Sequence, residues 1–192
     1  IVGSYYDKTD ENGENPLTFA GAAYIFENRN GNWEFDQKIV ASDRTDNQFF
    51  GAVLDISDQY AVVTTVYERR DENSENPVMG AGAGYIYENE DHTWECVQKI
   101  VASNRTEAPG FGYSVSLFEN ALIVGSNEKY QTYYFEVTGF SWEELQMITP
   151  MENQEGTSIV SMNGENIMIK TFGINNYIVN ELHFYKKNDG LW

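Results

Sequence analysis

Two copies of an acidic loop hold the residues whose types and spacing come nearest to chemistry. The first reads Asp7-Lys-Thr-Asp10-Glu-Asn12-Gly-Glu14-Asn, and the second reads Glu68-Arg-Arg-Asp71-Glu-Asn-Ser-Glu-Asn. Carboxylates and amide carbonyls two or three residues apart on a glycine-containing loop can gather the roughly six to eight oxygens that calcium takes. Asp7, Asp10, Asn12, Glu14 and Asp71 are therefore the candidate metal ligands. The spacing is not that of an EF-hand. Asp7 becomes Glu68 in the second copy, and Arg69 and Arg70 intrude there. The competing reading is a solvated acidic connection between strands, so no cofactor is expected, with calcium the one to test.

Catalytic patterns are missing. His92 and His183 are the only histidines, neither has a Ser or Cys nucleophile pattern nearby, and no Gly-x-Ser-x-Gly occurs. Carboxylate pairs for glycoside hydrolysis carry no signal in a chain with 30 Asp and Glu. No glycine-rich phosphate loop stands between a strand and a helix. The lone Cys96 rules out an internal disulfide and a cysteine-based zinc site. No catalytic residue is assigned, and the expectation is a protein that is not an enzyme. Exposed aromatics are the other option. Tyr5, Tyr6, Tyr67, Phe49 and Tyr130 fall near loop ends, where such rings can stack on sugars or anchor a protein partner. Tyr5, Tyr6 and Tyr67 are the candidate ligand-binding residues, against the alternative that they simply pack.

The elements behind these loops follow from a repeat. Tyr24, Trp33, Gln37-Lys-Ile-Val-Ala-Ser and Phe50-Gly51 recur as Tyr85, Trp94, Gln98-Lys-Ile-Val-Ala-Ser and Phe111-Gly112, all 61 residues on. The acidic loops keep the same offset. A third copy follows Trp94 by 48 residues at Trp142, and Trp192 marks a fourth. Each unit reads as four short strands. Ala121-Leu-Ile-Val-Gly is a continuous apolar run, and Thr93-Trp-Glu-Cys-Val-Gln alternates. Turn residues such as Asn30-Gly31, Glu119-Asn120, Asn163-Gly164 and Asn188-Asp189-Gly190 separate them. Glu143-Glu-Leu-Gln-Met looks helical in isolation, but its alignment with Glu95-Cys-Val-Gln-Lys makes it a strand. Four strands per unit is the sequence form of a β-propeller blade. The expected fold is all-β, about three and a half four-stranded antiparallel blades in one segment, residues 1–192, with units near 1–49, 50–110, 111–156 and 157–192. The small residues Gly21, Ala22, Ala23, Gly82, Ala83 and Gly84 suit close approach between blades.

The motifs Val2-Gly-Ser-Tyr-Tyr-Asp, Gly21-Ala-Ala-Tyr-Ile-Phe-Glu, Gln37-Lys-Ile-Val-Ala-Ser-Asp-Arg and Phe111-Gly-Tyr-Ser-Val resemble the FG-GAP repeat of bacterial secreted and surface proteins. The resemblance implies a β-propeller like the head of integrin α subunits, and an extracellular or cell-surface setting. The calcium-binding form of that repeat carries Asp-x-Asp-x-Asp-Gly between its first two strands. Here the connections are Asp55-Ile-Ser-Asp58-Gln and Ser116-Leu-Phe-Glu-Asn, too short and too poor in carboxylates to carry the site over.

Composition bounds the partners. With 12 Lys and Arg against 30 Asp and Glu, the net charge is −18, and a nucleic-acid ligand is not expected. No apolar run approaches the roughly 18 residues of a membrane-spanning helix. A ring needs about four blades or more, so completion by further blades of the same polypeptide or by a second chain is expected. The leading functional expectation is a non-catalytic extracellular module for protein binding or adhesion. A carbohydrate-binding or carbohydrate-active propeller face is the alternative, and a structural spacer the third. The ligand is thus a protein or a glycan.

Overall fold

The computed structural model describes residues 1–107, 110–127, 129–150, 156–173, 180–188 and 192. Fourteen strands run in chain order among these residues. The first sheet holds β1 (Val2–Ser4), β2 (Ala22–Arg29) and β3 (Asn32–Ile39). The second holds β4 (Val53–Ile56), β5 (Tyr60–Thr65), β6 (Ala83–Glu90) and β7 (Thr93–Ile100). The third holds β8 (Ser114–Phe118), β9 (Ala121–Gly125), β10 (Thr132–Thr138) and β11 (Ser141–Ile148). The fourth holds β12 (Gly156–Met162), β13 (Asn166–Gly173) and β14 (Asn180–Lys186). Every pairing between these strands is antiparallel and between chain neighbours, and an isolated parallel bridge joins Gly21 to Phe50. The leading strands touch in succession, β1 to β4, β4 to β8 and β8 to β12, and the trailing strands β3, β7 and β11 do the same. Sheets packed this way are β-propeller blades. Glu143–Met147 lies in β11, as the repeat alignment requires. The turn at Asn188-Asp189-Gly190 lies partly outside the described residues.

Apolar faces are buried between blades. Ala61 and Val63 of β5 join Ile25, Ile39, Phe50, Tyr85 and Trp94 in the core between the first and second sheets. Val62, pointing the other way, joins Ile86, Phe111, Leu122, Tyr133 and Trp142 in the next. A third core places Ile123 and Tyr134 against Val160, Ile167 and Ile169. A strand covered on both faces is mostly apolar, and β5 is buried at every position, with the Thr64 and Thr65 hydroxyls donating to the Gly112 and Gln48 carbonyls. The trailing strands β7 and β11 alternate, because one face meets water. Register shifts fall at Ile25/Phe26, Ile86/Tyr87 and Tyr134/Phe135, the same repeat position in three blades. Such bulges sharpen strand twist.

The recurring Gln and Trp are explained by one interaction. The Gln37 side chain donates to the Trp94 carbonyl and accepts from the Trp94 N–H, both at 2.8 Å. Gln98 does the same to Trp142 at 2.8 Å, and Gln146 to Trp192 at 2.9 Å. An amide side chain thereby satisfies two strand groups that no neighbouring strand reaches, and pins each blade to the next. Close approach is real where glycine was expected: a Cβ on Gly21 would overlap the Phe50 backbone, and one on Gly82 the Phe111 backbone. Tyr130 departs from expectation. It is fully buried rather than exposed, its ring occupying the space beside Gly156 where any side chain would collide.

Candidate functional site

The acidic loops are built by their aspartates. Asp10 Oδ1 accepts the backbone N–H of Asn12 at 3.0 Å and of Glu14 at 2.8 Å, while Oδ2 accepts the Asn15 amide at 2.6 Å. Asp71 repeats this with Asn73 at 3.0 Å, Glu75 at 2.8 Å and Asn76 at 2.7 Å. The Glu14 N–H and the Asn15 amide hold the Asp10 carboxyl below the usual carboxylate range. Arg44 closes the first loop by donating to the Lys8 carbonyl at 2.8 Å and the Asn15 carbonyl at 3.3 Å. Arg105 closes the second through the carbonyls of Arg69 and Asn76. Asp7 sits elsewhere, accepting from the Tyr24 hydroxyl, Thr9 and Lys38 Nζ, the last at 3.1 Å. Burial alone would raise the Asp7 carboxyl, but these donors carry it well below the usual range. Asp7, Asp10 and Asp71 therefore spend their oxygens on N–H and O–H donors, Asn12 and Glu14 face solvent, and the five do not converge. Among the described residues no group of three or more His, Cys, Asp or Glu is placed to hold a metal ion.

Between the first and second blades lies a buried ionic cluster that sequence reasoning missed. Lys99 Nζ meets Asp43 at 2.8 Å and Glu68 at 3.6 Å, with only 6% of the Lys99 side chain exposed. Arg70 binds Glu68 at 3.0 Å and Asp43 at 3.2 Å. The Tyr85 hydroxyl donates to Asp43 at 2.7 Å, and the Gln48 amide donates to Glu68 at 2.7 Å. Burial pushes the Asp43 carboxyl up, but the Lys99 and Tyr85 hydrogen bonds and the Lys99 charge outweigh it and bring it to about 2. The same burial, with Glu68 and Asp43 beside it, drives the Tyr85 phenol far up. One repeat later the Asp43–Lys99 pair is replaced by neutral side chains. Asn104 stands for Asp43 and Met147 for Lys99, and Tyr133 donates to Asn104 at 2.8 Å. Acid and base disappear together, as desolvated charges require.

The three candidate tyrosines come together. Tyr5 and Tyr6 lie with ring centroids 4.4 Å apart, and Tyr67 meets Phe49 at 5.1 Å with the two rings tilted by 51°. Phe19 and Phe49 bridge them: Tyr6 meets Phe19 at 5.2 Å and Phe49 at 6.0 Å, and Phe19 lies 5.8 Å from Phe49. Tyr6 and Tyr67 are 57% and 58% exposed. The result is a ridge of five rings on the surface. A cleft of about 700 Å³ opens beside it, lined by Phe49, Tyr67, Asp46, Asn47, Arg69 and Met79 among others.

The ridge carries backbone strain. Phe19 has φ 51° and Phe49 φ 56°, in the left-handed region that costs a non-glycine residue about 1–2 kcal/mol. Their counterparts 61 residues on are Gly80 and Gly110, with φ 65° and 55°. The second repeat thus adopts the same turns with the residue that suits them, whereas the first holds phenylalanine there. Tyr130, also left-handed, is fully buried, so its ring offsets the strain by packing. Phe19 and Phe49 are only half-buried. That contrast was legible in the repeat frame as Phe against Gly, although only a backbone angle shows it to be strained.

Stacked blades of this kind define a β-propeller segment. Residues 33–87 and 94–132 match the FG-GAP repeat. The chain carries FG-GAP repeats, and the matched stretches cover most of the second blade and parts of both neighbours. No curated protein matches this chain. Among the described residues no helix is long and apolar enough to cross a membrane.

Proposed function

We propose that this segment is a non-catalytic binding module of an extracellular or cell-surface protein, serving adhesion through the aromatic ridge. The observation that carries the reading is the pair of half-buried phenylalanines held in left-handed turns. Strain of this kind persists where the surrounding structure enforces it, and it clusters at functional sites. A spacer has no use for it. His92 is an exposed turn residue paired with Glu27 at 3.5 Å, and His183 lies on β14, so neither histidine adjoins the ridge or the cleft. In this reading further blades, from the same polypeptide or a second chain, complete the ring. Trp33 supports it: 72% exposed, it has no glutamine on its backbone among the described residues, whereas Trp94 and Trp142 are 6% and 5% exposed under theirs. The test is retention on immobilised matrix proteins, peptides and glycans. The reading predicts a ligand that the wild type holds and the Phe49→Gly and Tyr67→Ala variants release. A ligand held equally by all three, away from the ridge, overturns it.

A further inference from the structure

We infer that the cleft beside Phe49 and Tyr67 is a carbohydrate site whose ligand is an oligosaccharide of pyranose units. The inference rests on the ridge being the binding surface and names what binds there. A pyranose presents an apolar C–H face and a rim of hydroxyls. It needs flat rings for the first and both donors and acceptors for the second. The site has both. Tyr67 and Phe49 line the cleft with ring centroids 5.1 Å apart, and Phe19, on the adjoining ridge, lies 5.8 Å from Phe49, steps comparable to one sugar unit. Asp46, Asn47 and Arg69 line the cleft beside them. Asp46 uses Oδ1 to accept the Thr18 N–H at 2.6 Å and faces solvent.

Arg69 is the independent observation. Arg29 pairs with Glu27 and Asp36, Arg70 with Glu68 and Asp43, and Arg44 and Arg105 cap loop carbonyls. Arg69 alone among the arginines has a guanidinium with no hydrogen bond or ion pair among the described residues, and it is exposed in the cleft wall. In a chain of net charge −18 an uncommitted guanidinium in the same cleft wall as the exposed Tyr67 and half-buried Phe49 rings is placed for a ligand's oxygens. A protein partner would call for a broad apolar centre. Here Asp46, Asn47, Arg69 and Arg70 line the cleft together with Phe49 and Tyr67, and its volume suits a short oligosaccharide.

The experiment uses the full chain on a panel of pyranose oligosaccharides, peptides and matrix proteins, followed by titration of any bound sugar. Saturable binding of an oligosaccharide is expected, weakened about tenfold in Tyr67→Ala and in Phe49→Gly, and weakened also in Arg69→Ala. Melting curves show which variants are folded. Phe49→Gly installs the residue found at Gly110, so it should fold. Capture of peptides or proteins alone, lost in the same variants, overturns the carbohydrate assignment and leaves the ridge as the binding surface. Sugar binding that survives all three substitutions overturns both. No oligosaccharide bound by the wild type overturns the carbohydrate assignment.

Discussion

Replacing Lys99 by Met should be far more damaging alone than together with Asp43→Asn. Lys99 Nζ lies 2.8 Å from Asp43 and 3.6 Å from Glu68, and almost none of it reaches solvent. Lys99→Met leaves two carboxylates in one buried cluster with Arg70 as their only counter-charge, and breaking a buried pair in this way costs about 3–5 kcal/mol. Asp43→Asn is milder. Lys99 keeps Glu68, and the asparagine oxygen can still accept from Tyr85, so about 1–2 kcal/mol is expected. The double substitution installs what the next interface already uses, Asn104 and Met147, whose side chains meet at 3.4 Å. Its cost should fall short of the sum by about 1–3 kcal/mol. Urea unfolding of all four proteins, followed by the fluorescence of Trp94 in the adjoining core, measures this. Additivity within about 0.5 kcal/mol would show that the acid and base are not energetically coupled, and would refute the account of why they vanish together.

The same cluster sets a pH dependence. The Asp43 carboxyl lies at about 2 in the fold against 3.8 ordinarily, so its contribution, on the order of 2 kcal/mol, is fully present above about pH 4 and is lost as pH falls toward 2. Asp43→Asn should flatten that limb of the stability curve in acid titration. Gln98→Ala removes both bonds to the Trp142 backbone and should cost about 1–3 kcal/mol in chemical denaturation, since the N–H and carbonyl lose their partner. Millimolar calcium should leave the melting temperature unchanged, because the Asp10 and Asp71 oxygens already serve loop donors. A saturable rise would show that the loops open for the ion.

The blades were legible because each strand's pattern is repeated at a fixed offset. Trp94 and Trp142 identify the trailing strand, and Gly21 and Gly82 mark the contact between units. The acidic loop was legible as a loop. That Asp10 is its organiser was not, because an aspartate accepting backbone N–H groups and one awaiting a cation look alike in sequence. Tyr130 was misplaced for a related reason: its position suggests a loop end, and only the fourth blade's approach at Gly156 buries it. Tyr5, Tyr6 and Tyr67 were nominated separately. Their assembly depends on Phe19, at the far end of the β1–β2 connection that holds Tyr5 and Tyr6, and on Phe49 from the β3–β4 connection, which single-segment reading does not join.

If Phe49 is kept for its half-buried ring against a backbone cost, its loss should tell on binding rather than on folding. Unfolding of Phe49→Gly tests it most directly, with ligand retention measured on the same sample. The strain relieved, about 1–2 kcal/mol, nearly offsets the lost ring contacts and the added glycine freedom. Stability should therefore stay within about 1 kcal/mol of wild type while retention is lost. A loss of about 3–5 kcal/mol, the cost of deleting a core aromatic, with retention intact, would contradict it.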